Sequence, residues 1–250
     1  VALRELNLPI DAAASFRQAI ALKPDFVEAH ASLGMALLLM GNLSDGFAEY
    51  EWRLRIKPPR HPYPAWDGLI RPGATLLIHC EQGFGDTLQF VRYLPLIARQ
   101  GMRVVVQCPP ALKKLIGSVE GVAAVFGFDE PPPTFDAHCA LLSLPHLFGT
   151  TIERIPNNVP YVGVSKEKLA AWHDHLERHC ASPSLTEIRN DPPGNEKRFR
   201  VGLVWAGAPR PDEPDSYLID RRRSMSFDIM APLLEVPGID FYSLQKGETA

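Results

Sequence analysis

The chain lacks the features that would place it in a membrane, on nucleic acid or outside the cell. No apolar run among its 250 residues approaches the length needed to cross a bilayer, so no membrane span is expected. With 26 Lys and Arg against 29 Asp and Glu, the net charge is −3, and neither nucleic acid nor an anionic membrane is expected as a main partner. Only four cysteines occur, widely spaced, which predicts buried reduced thiols and a cytoplasmic protein.

Several catalytic signatures are missing as well. The sequence has no Gly-x-Ser-x-Gly nucleophile elbow and no Asp-x-Asp motif, so metal-dependent sugar transfer is not indicated. His175 and His179 have zinc-compatible spacing, but without an evident third ligand an exposed helix face is the favoured interpretation. His79-Cys80 and His138-Cys139 lie in predicted strands, where adjacent residues point to opposite faces and do not converge. No metal or resident cofactor is therefore predicted.

A repeat is present at the N-terminus. Residues 1–58 repeat with a period of about 34, and Leu33-Gly34 falls where a tetratricopeptide repeat has its Leu-Gly pair. This predicts a tetratricopeptide-repeat helical segment over 1–58, with a generic helical hairpin as the alternative. So few units are not expected to be stable alone, so the segment should dock on the next domain or continue N-terminally. The matching positions are Ala12, Phe16, Ala19 and Pro24 with Gly46, Tyr50, Arg53 and Pro58, and only the third pair changes character.

Strands and helices alternate after a proline-rich linker at 59–73. The alternation predicts an α/β fold, with a Rossmann-like parallel sheet and right-handed crossovers in a domain over 74–180. The predicted strands are 74–80, 103–108, 122–127 and 135–140, and the predicted helices are 86–99, 110–117 and 166–179.

The pattern restarts after a polar linker at 181–198. A strand from Arg200, a helix over 227–235 that Ser226 can cap, and a strand over 239–244 predict the opening of a second Rossmann-like domain over 199–250. The repeat pattern is already under way at Val1, and the chain stops soon after this last strand. We therefore expect both ends to be truncated.

The turn Gly83-Phe84-Gly85-Asp86 follows the first predicted strand, where Rossmann folds bind their ligands. Leu88 replaces the third glycine of a dinucleotide fingerprint, which argues against a nucleotide-dependent dehydrogenase. A carboxylate about 4 Å from a phosphate charge repels it by about 4 kcal/mol at an effective dielectric of about 20. A helix N-terminus stabilises a nearby anion by only ~0.3–1 kcal/mol, which is less than this repulsion. This corner is therefore predicted to be a poor phosphate cradle.

Two roles for Asp86 remain open. Asp86 and Gln89 have capping-box spacing, so Asp86 can simply cap the following helix. Alternatively, its carboxylate faces the crevice at the carboxyl end of the sheet and removes a proton from a substrate hydroxyl.

Gln82-Gly83-Phe84-Gly85-Asp86, with Leu94-Pro95 after it, resembles the Gly-Asp…Leu-Pro signature of the heptosyltransferase-like (family 9) glycosyltransferases. The wider chain resembles bacterial proteins that join tetratricopeptide repeats to such a region. The segments that carry this resemblance are 49–53, 66–68, 79–95, 135–145, 201–209 and 243–247.

The resemblance implies a GT-B architecture, in which two Rossmann domains bind the acceptor on the first and the nucleotide-sugar donor on the second. Asp86 matches the proposed catalytic base. Ser143 and His146 follow the fourth strand, which usually lies beside the first, so they can line the acceptor crevice or serve core and turn roles. The candidate acceptor-side residues are Glu81, Gln82, Gly83, Gly85, Ser143 and His146.

Donor-side candidates lie in the second domain, where arginines near the 227–235 helix can neutralise a departing nucleotide diphosphate. A solvated charged loop is the alternative, because nearby acids balance these arginines. The candidates are Trp205, Gly207, Arg210, Arg221, Arg222, Arg223, Ser224 and Lys246.

Two functions are therefore expected as alternatives. The first is a fragment of a metal-independent, repeat-fused glycosyltransferase acting on a protein or glycan acceptor, with little turnover from residues 1–250 alone. The second is a non-catalytic scaffold whose repeats bind a peptide partner.

Overall fold

The computed structural model describes residues 8–59, 63–180, 199–207 and 224–245. The chain divides into two compact units, Val1–Leu176 and Glu177–Ala250. None of the helices in the described ranges has the length and apolar character needed to cross a bilayer.

Four helices, together called the helical segment, open the first unit. They are α1 (Pro9–Leu22), α2 (Val27–Leu39), α3 (Leu43–Tyr50) and α4 (Arg53–Ile56). Gly41 follows α2 with a φ of 78°, a conformation that glycine adopts without strain. Asn42 then caps α3, its side-chain oxygen accepting a hydrogen bond from the Asp45 N–H at 3.4 Å.

Small residues bring the helices of this segment close together. A Cβ on Gly34 would lie 2.6 Å from the backbone nitrogen of Tyr50, so only glycine allows α2 and α3 to approach this closely. Ala12, Ala13, Leu33, Ala36 and Leu37 form the buried core between α1 and α2. The described part of 1–58 is thus helical, while its assignment to the tetratricopeptide-repeat family stays a prediction.

A four-stranded parallel sheet forms the centre of the first unit. Its strands are β1 (Thr75–His79), β2 (Arg103–Gln107), β3 (Val122–Phe126) and β4 (Ala137–Ala140). Their order is β3-β2-β1-β4, which confirms the predicted parallel Rossmann-like sheet and the position of the fourth strand beside the first. Trp66, in the proline-rich stretch, lies along β4 at the edge of the sheet, and its backbone N–H donates a hydrogen bond to the carbonyl of His138 at 2.8 Å.

The side chains of the central strands alternate between two apolar layers. Leu76 and Ile78 of β1 belong to the larger core, whereas Leu77 packs with Val105 and Phe126 on the opposite face. A sheet covered on both faces explains why these strands are almost continuously apolar.

The helix predicted over 86–99 is built in three pieces. It comprises α5 (Phe84–Phe90), a 3-10 turn (Val91–Tyr93) and α6 (Leu94–Ala98). Pro95 has no N–H to give to the Val91 carbonyl four residues earlier, and that carbonyl accepts from Leu94 instead. The helix also begins two residues earlier than predicted.

The remaining helices of the first unit are short until its end. They are α7 (Lys113–Ile116), α8 (Leu144–Leu147) and α9 (Lys166–Cys180), the last of which extends into the second unit.

The second unit contains a parallel strand pair with a helical connection. Its elements are β5 (Phe199–Leu203), α10 (Phe227–Met230) with a following 3-10 turn (Ala231–Glu235), and β6 (Ile239–Ser243). Ser226 is the N-cap residue of α10, as predicted, although its side chain makes no capping hydrogen bond.

Candidate functional site

The helical segment docks on the carboxyl edge of the sheet through one buried arginine. Arg53 of α4 is only 8% exposed, and its Nη2 lies 2.6 Å from Oε1 of Glu81, which follows β1. The same nitrogen donates to the Ser143 hydroxyl after β4 at 3.0 Å. The helical segment therefore docks on the sheet that follows it, which is one of the two outcomes expected for residues 1–58.

All five N–H groups of Arg53 have acceptors. Nε and Nη2 both donate to Glu81, Nη1 donates to Glu51 at 2.6 Å and to the Tyr50 carbonyl at 3.2 Å, and Nη2 also reaches Ser143. Burial tends to lower the pKa of Arg53, but the carboxylates of Glu81 and Glu51 outweigh it and raise the pKa. The guanidinium is thus a permanently charged and saturated clamp.

A cleft of about 820 Å³ lies between the helical segment and the carboxyl edge. Its floor is formed by residues at the ends of β1 and β2 and after β3, and its other wall comes from α2, α3, α4 and the prolines that follow. The residues on the sheet side are His79, Cys80, Glu81, Gln82, Gln107 and Phe128, and those on the helical side are Ala31, Met35, Tyr50, Arg53, Ile56, Lys57, Pro58 and Pro59.

Tyr50 brings a neutral phenol into this cleft. Burial raises the pKa of Tyr50, the positive charge of Arg53 opposes the rise, and the negative charges of Glu81 and Asp86 add to it. The Gln82 side-chain amide donates to the Tyr50 hydroxyl at 3.5 Å. The phenol therefore remains protonated at neutral pH and can donate a hydrogen bond to a ligand.

Asp86 occupies the third position of α5 rather than the N-cap, which corrects the predicted pairing with Gln89. Gly83 is the N-cap residue, and its N–H donates to Oδ2 of Asp86 at 3.2 Å. Oδ1 of Asp86 makes no hydrogen bond with any other described residue. Asp86 is half-buried at the start of α5 and does not line the cleft, but its charge acts on Tyr50, which does.

The other acceptor-side candidates separate into two groups. Glu81 and Gln82 line the cleft, and Gly83 and Gly85 form the exposed turn that leads to Asp86. For Ser143 and His146, the sequence leaves both lining the crevice and core or turn roles open, and neither residue lines the cleft. Ser143 is sealed, donating to Glu51 Oε2 at 2.8 Å and accepting from Arg53, and His146 lies exposed on α8, outside the cleft.

Two histidines that the sequence kept apart meet across β1 and β4. His138 Nδ1 lies 3.3 Å from His79 Nε2, and both rings are buried. Each histidine points away from its neighbouring cysteine, as predicted, but the contact between the two strands was not foreseen. Within the described ranges, no group of three His, Cys, Asp or Glu side chains is placed to hold a metal ion.

The second unit brings three donor-side candidates together. Trp205 and Ser224 line an open hollow of about 660 Å³ at the carboxyl ends of β5 and β6, and the Gly207 N–H donates to the Ser224 hydroxyl at 3.1 Å. Gln245 fixes this turn by accepting from the backbone N–H groups of Trp205 and Ala206. The candidates Arg210, Arg221, Arg222, Arg223 and Lys246 lie outside the described residues.

Comparison with known proteins gives a distant similarity. No family model matches the chain. The chain is similar to Protein FlbA of Caulobacter vibrioides. The two are 26% identical over 236 residues, which cover 85% of this chain and 36% of FlbA. The chain thus spans about a third of the length of this relative.

Sequence reasoning missed the contribution of the helical segment to the cleft. Tyr50, Arg53 and Lys57 come from α3, α4 and the residue after α4, and Gln107 from the end of β2. One signal was present: Arg53 stands where the preceding repeat has Ala19. An arginine that replaces an alanine at the matching position indicates an interaction outside the repeat.

Proposed function

We propose that the chain is a fragment of a repeat-fused glycosyltransferase, which transfers a sugar from a nucleotide-sugar donor to an acceptor hydroxyl without a resident cofactor. The observation that supports this most is the arrangement of Asp86. One of its carboxylate oxygens is held by the Gly83 N–H, and the other makes no hydrogen bond with any other described residue. A carboxylate held in this way can accept a proton.

The proposed chemistry is a direct displacement. Asp86 removes the proton from the acceptor hydroxyl, the resulting oxygen forms a bond to the anomeric carbon, and the bond from that carbon to the diphosphate breaks. The nucleoside diphosphate leaves with the electron pair. On the donor side, Trp205 and Ser224 offer a hollow for the nucleotide sugar, and the arginines between 210 and 223 are proposed to neutralise the diphosphate.

The compartment is part of the proposal. Cys80, Cys108 and Cys139 are buried free thiols, as predicted. Such thiols are typical of a reducing compartment, and we propose the cytoplasm.

The experiment is a transfer assay with the full-length protein. Nucleotide sugars are first screened by thermal shift, since a donor that binds the folded state raises the Tm. Transfer by Asp86→Asn is then compared with the wild type and with Asp25→Asn, which removes an exposed carboxylate from a loop of the helical segment. Loss of a general base is expected to lower kcat about 10²- to 10⁴-fold, while Asp25→Asn leaves it unchanged. Near-wild-type transfer by Asp86→Asn would reject the base.

A non-catalytic scaffold is the second candidate, and exposed apolar side chains on the helical segment favour it. Ile10, Leu22 and Leu39 are 72%, 89% and 62% exposed. Such side chains can bind a partner protein. A scaffold would show no stabilisation by any nucleotide sugar, so the same thermal-shift screen separates the two candidates.

A further inference from the structure

The cleft contains a buried arginine that cannot bind an anion. Arginine in such a position usually suggests a phosphate or carboxylate site. Here each of the five N–H groups of Arg53 already donates to Glu51, Glu81, Ser143 or the Tyr50 carbonyl. No donor of the guanidinium remains for a ligand.

When Glu51 and Asp86, which lie beside the cleft without lining it, are included, three carboxylates stand against the two cations Arg53 and Lys57. Arg53 is outnumbered by its two carboxylate partners, Glu51 and Glu81, and Asp86 adds a further negative charge that acts on Tyr50. Lys57 is a cation of the lining, but it is exposed to solvent. An anion that entered the cleft would lose water without gaining a buried cationic partner, which is unfavourable.

Apart from the exposed Lys57 ammonium and the second carboxylate oxygen of Glu81, the polar groups that remain available are uncharged. Gln107 makes no side-chain hydrogen bond with any other described residue, and Gln82 is bonded only loosely to the Tyr50 hydroxyl. These groups face an apolar wall that includes Ala31, Ile56 and Pro58. Side-chain amides beside an apolar wall match a polypeptide, whose backbone amides alternate with side chains that can be apolar.

We propose that the cleft binds an extended polypeptide segment free of acidic residues and, resting on the glycosyltransferase function proposed above, that this segment carries the acceptor hydroxyl. A neutral glycan fits less well because sugars stack on open aromatic faces. One face of Tyr50 is covered by Arg53 at 4.8 Å, which leaves Phe128, at 54% exposure, as the more open of these two rings in the lining.

The test selects ligands without assuming their sequence. The full-length protein is panned against a phage library of random dodecapeptides, and the enriched peptides are synthesised with one central residue changed to Glu. The enriched set should be depleted in Asp and Glu, and the Glu substitution should weaken binding at least about fivefold, as expected of one like-charge contact in water. Gln107→Lys, which adds a cation to the floor, should restore binding of the Glu-containing peptide.

A matched pair of variants locates the binding. Gln82→Trp fills the cleft from an exposed position and should weaken peptide binding about tenfold or more, whereas Gln100→Trp lies outside the cleft and should not. Enrichment of acidic peptides, binding that is insensitive to Gln82→Trp, or no enrichment at all would overturn the proposal. So would selective binding of neutral oligosaccharides on a glycan array that Gln82→Trp abolishes.

This test can fail independently of the glycosyltransferase proposal. If the full-length protein bound peptides in the cleft but transferred no sugar, the peptide site would be supported and the glycosyltransferase function would be rejected. If the protein transferred sugar to an acceptor but bound no peptide, the glycosyltransferase function would be supported and the peptide site would be rejected.

Discussion

Nη2 of Arg53 lies 2.6 Å from Oε1 of Glu81, and this ion pair joins the last helix of the helical segment to the residue that leads out of β1. Both side chains are largely buried, at 8% and 17% exposure. A buried pair stabilises only if its other polar atoms are also bonded. That condition is met for the arginine, because Glu51, Ser143 and the Tyr50 carbonyl accept its other N–H groups.

Removal of this arginine is expected to be costly. Arg53→Met leaves the Glu51 and Glu81 carboxylates without their cation, which should lower the free energy of unfolding by about 3–5 kcal/mol. Arg55→Met is the control, because Arg55 is exposed and only stacks on Trp52 at 4.0 Å, a contact that contributes about 0.5–1 kcal/mol. Urea unfolding measures both, and a change below about 1 kcal/mol for Arg53→Met would show that the clamp does not hold the docking.

Two glycine-to-alanine substitutions should change stability in opposite directions. The new Cβ at Gly34 would lie 2.6 Å from the Tyr50 nitrogen, so Gly34→Ala should destabilise by about 1–3 kcal/mol through overpacking. At Gly85, within α5, the new Cβ meets nothing within 4 Å, and Gly85→Ala should stabilise by about 0.5–1 kcal/mol. Thermal unfolding compares the two, and equal shifts would contradict the close packing of α2 against α3.

Asp86→Asn separates the structural role of this carboxylate from its chemical one. Asp86 stabilises the first turn of α5 as an anion near the helix N-terminus that accepts the Gly83 N–H, so its loss should cost about 0.3–1 kcal/mol. If Asp86 is also the base, transfer by the full-length protein falls far more than this loss explains. A folded variant with unchanged transfer would assign Asp86 to capping alone.

Stability should fall on the alkaline side because of buried thiols. Burial raises the pKa of Cys80 from 9.0 to about 12 and that of Cys108 to about 11. Between the unfolded and folded pKa values the unfolded chain has lost a proton that the folded protein keeps, so the free energy of unfolding declines as pH rises above about 9. The slope is about 1.4 kcal/mol per pH unit for each such thiol.

The variant Cys80→Ala checks this dependence. Its free energy of unfolding, measured in urea from about pH 7 to about pH 10, should decline less steeply above about pH 9 than that of the wild type, while the two curves run parallel below about pH 8. Identical slopes on the alkaline side would show that the Cys80 thiol ionises equally in both states.

The position of Asp86 shows where sequence patterns stop being informative. The acid and its place at the start of a helix were predictable, but not its exact position in the first turn. Gly83 can act as the N-cap because its extended backbone, with φ −68° and ψ 175°, needs no side chain. A helix start is set by backbone conformation, which several residues of this turn can adopt.

The sequence by itself determined the order of the elements and the parallel sheet with β4 beside β1, because alternating apolar strands and helices with right-handed crossovers leave few other arrangements. Only the tertiary structure decided what the carboxyl edge of that sheet presents. Arg53 bonds to Ser143, 90 positions further along the chain, and this contact makes the predicted site residue Ser143 inaccessible to a ligand. The helical segment also forms one wall of the cleft, although no motif connected these helices to the sheet edge. Such contacts depend on how the helical segment packs against the sheet, and the local periodicity of the sequence does not predict that packing.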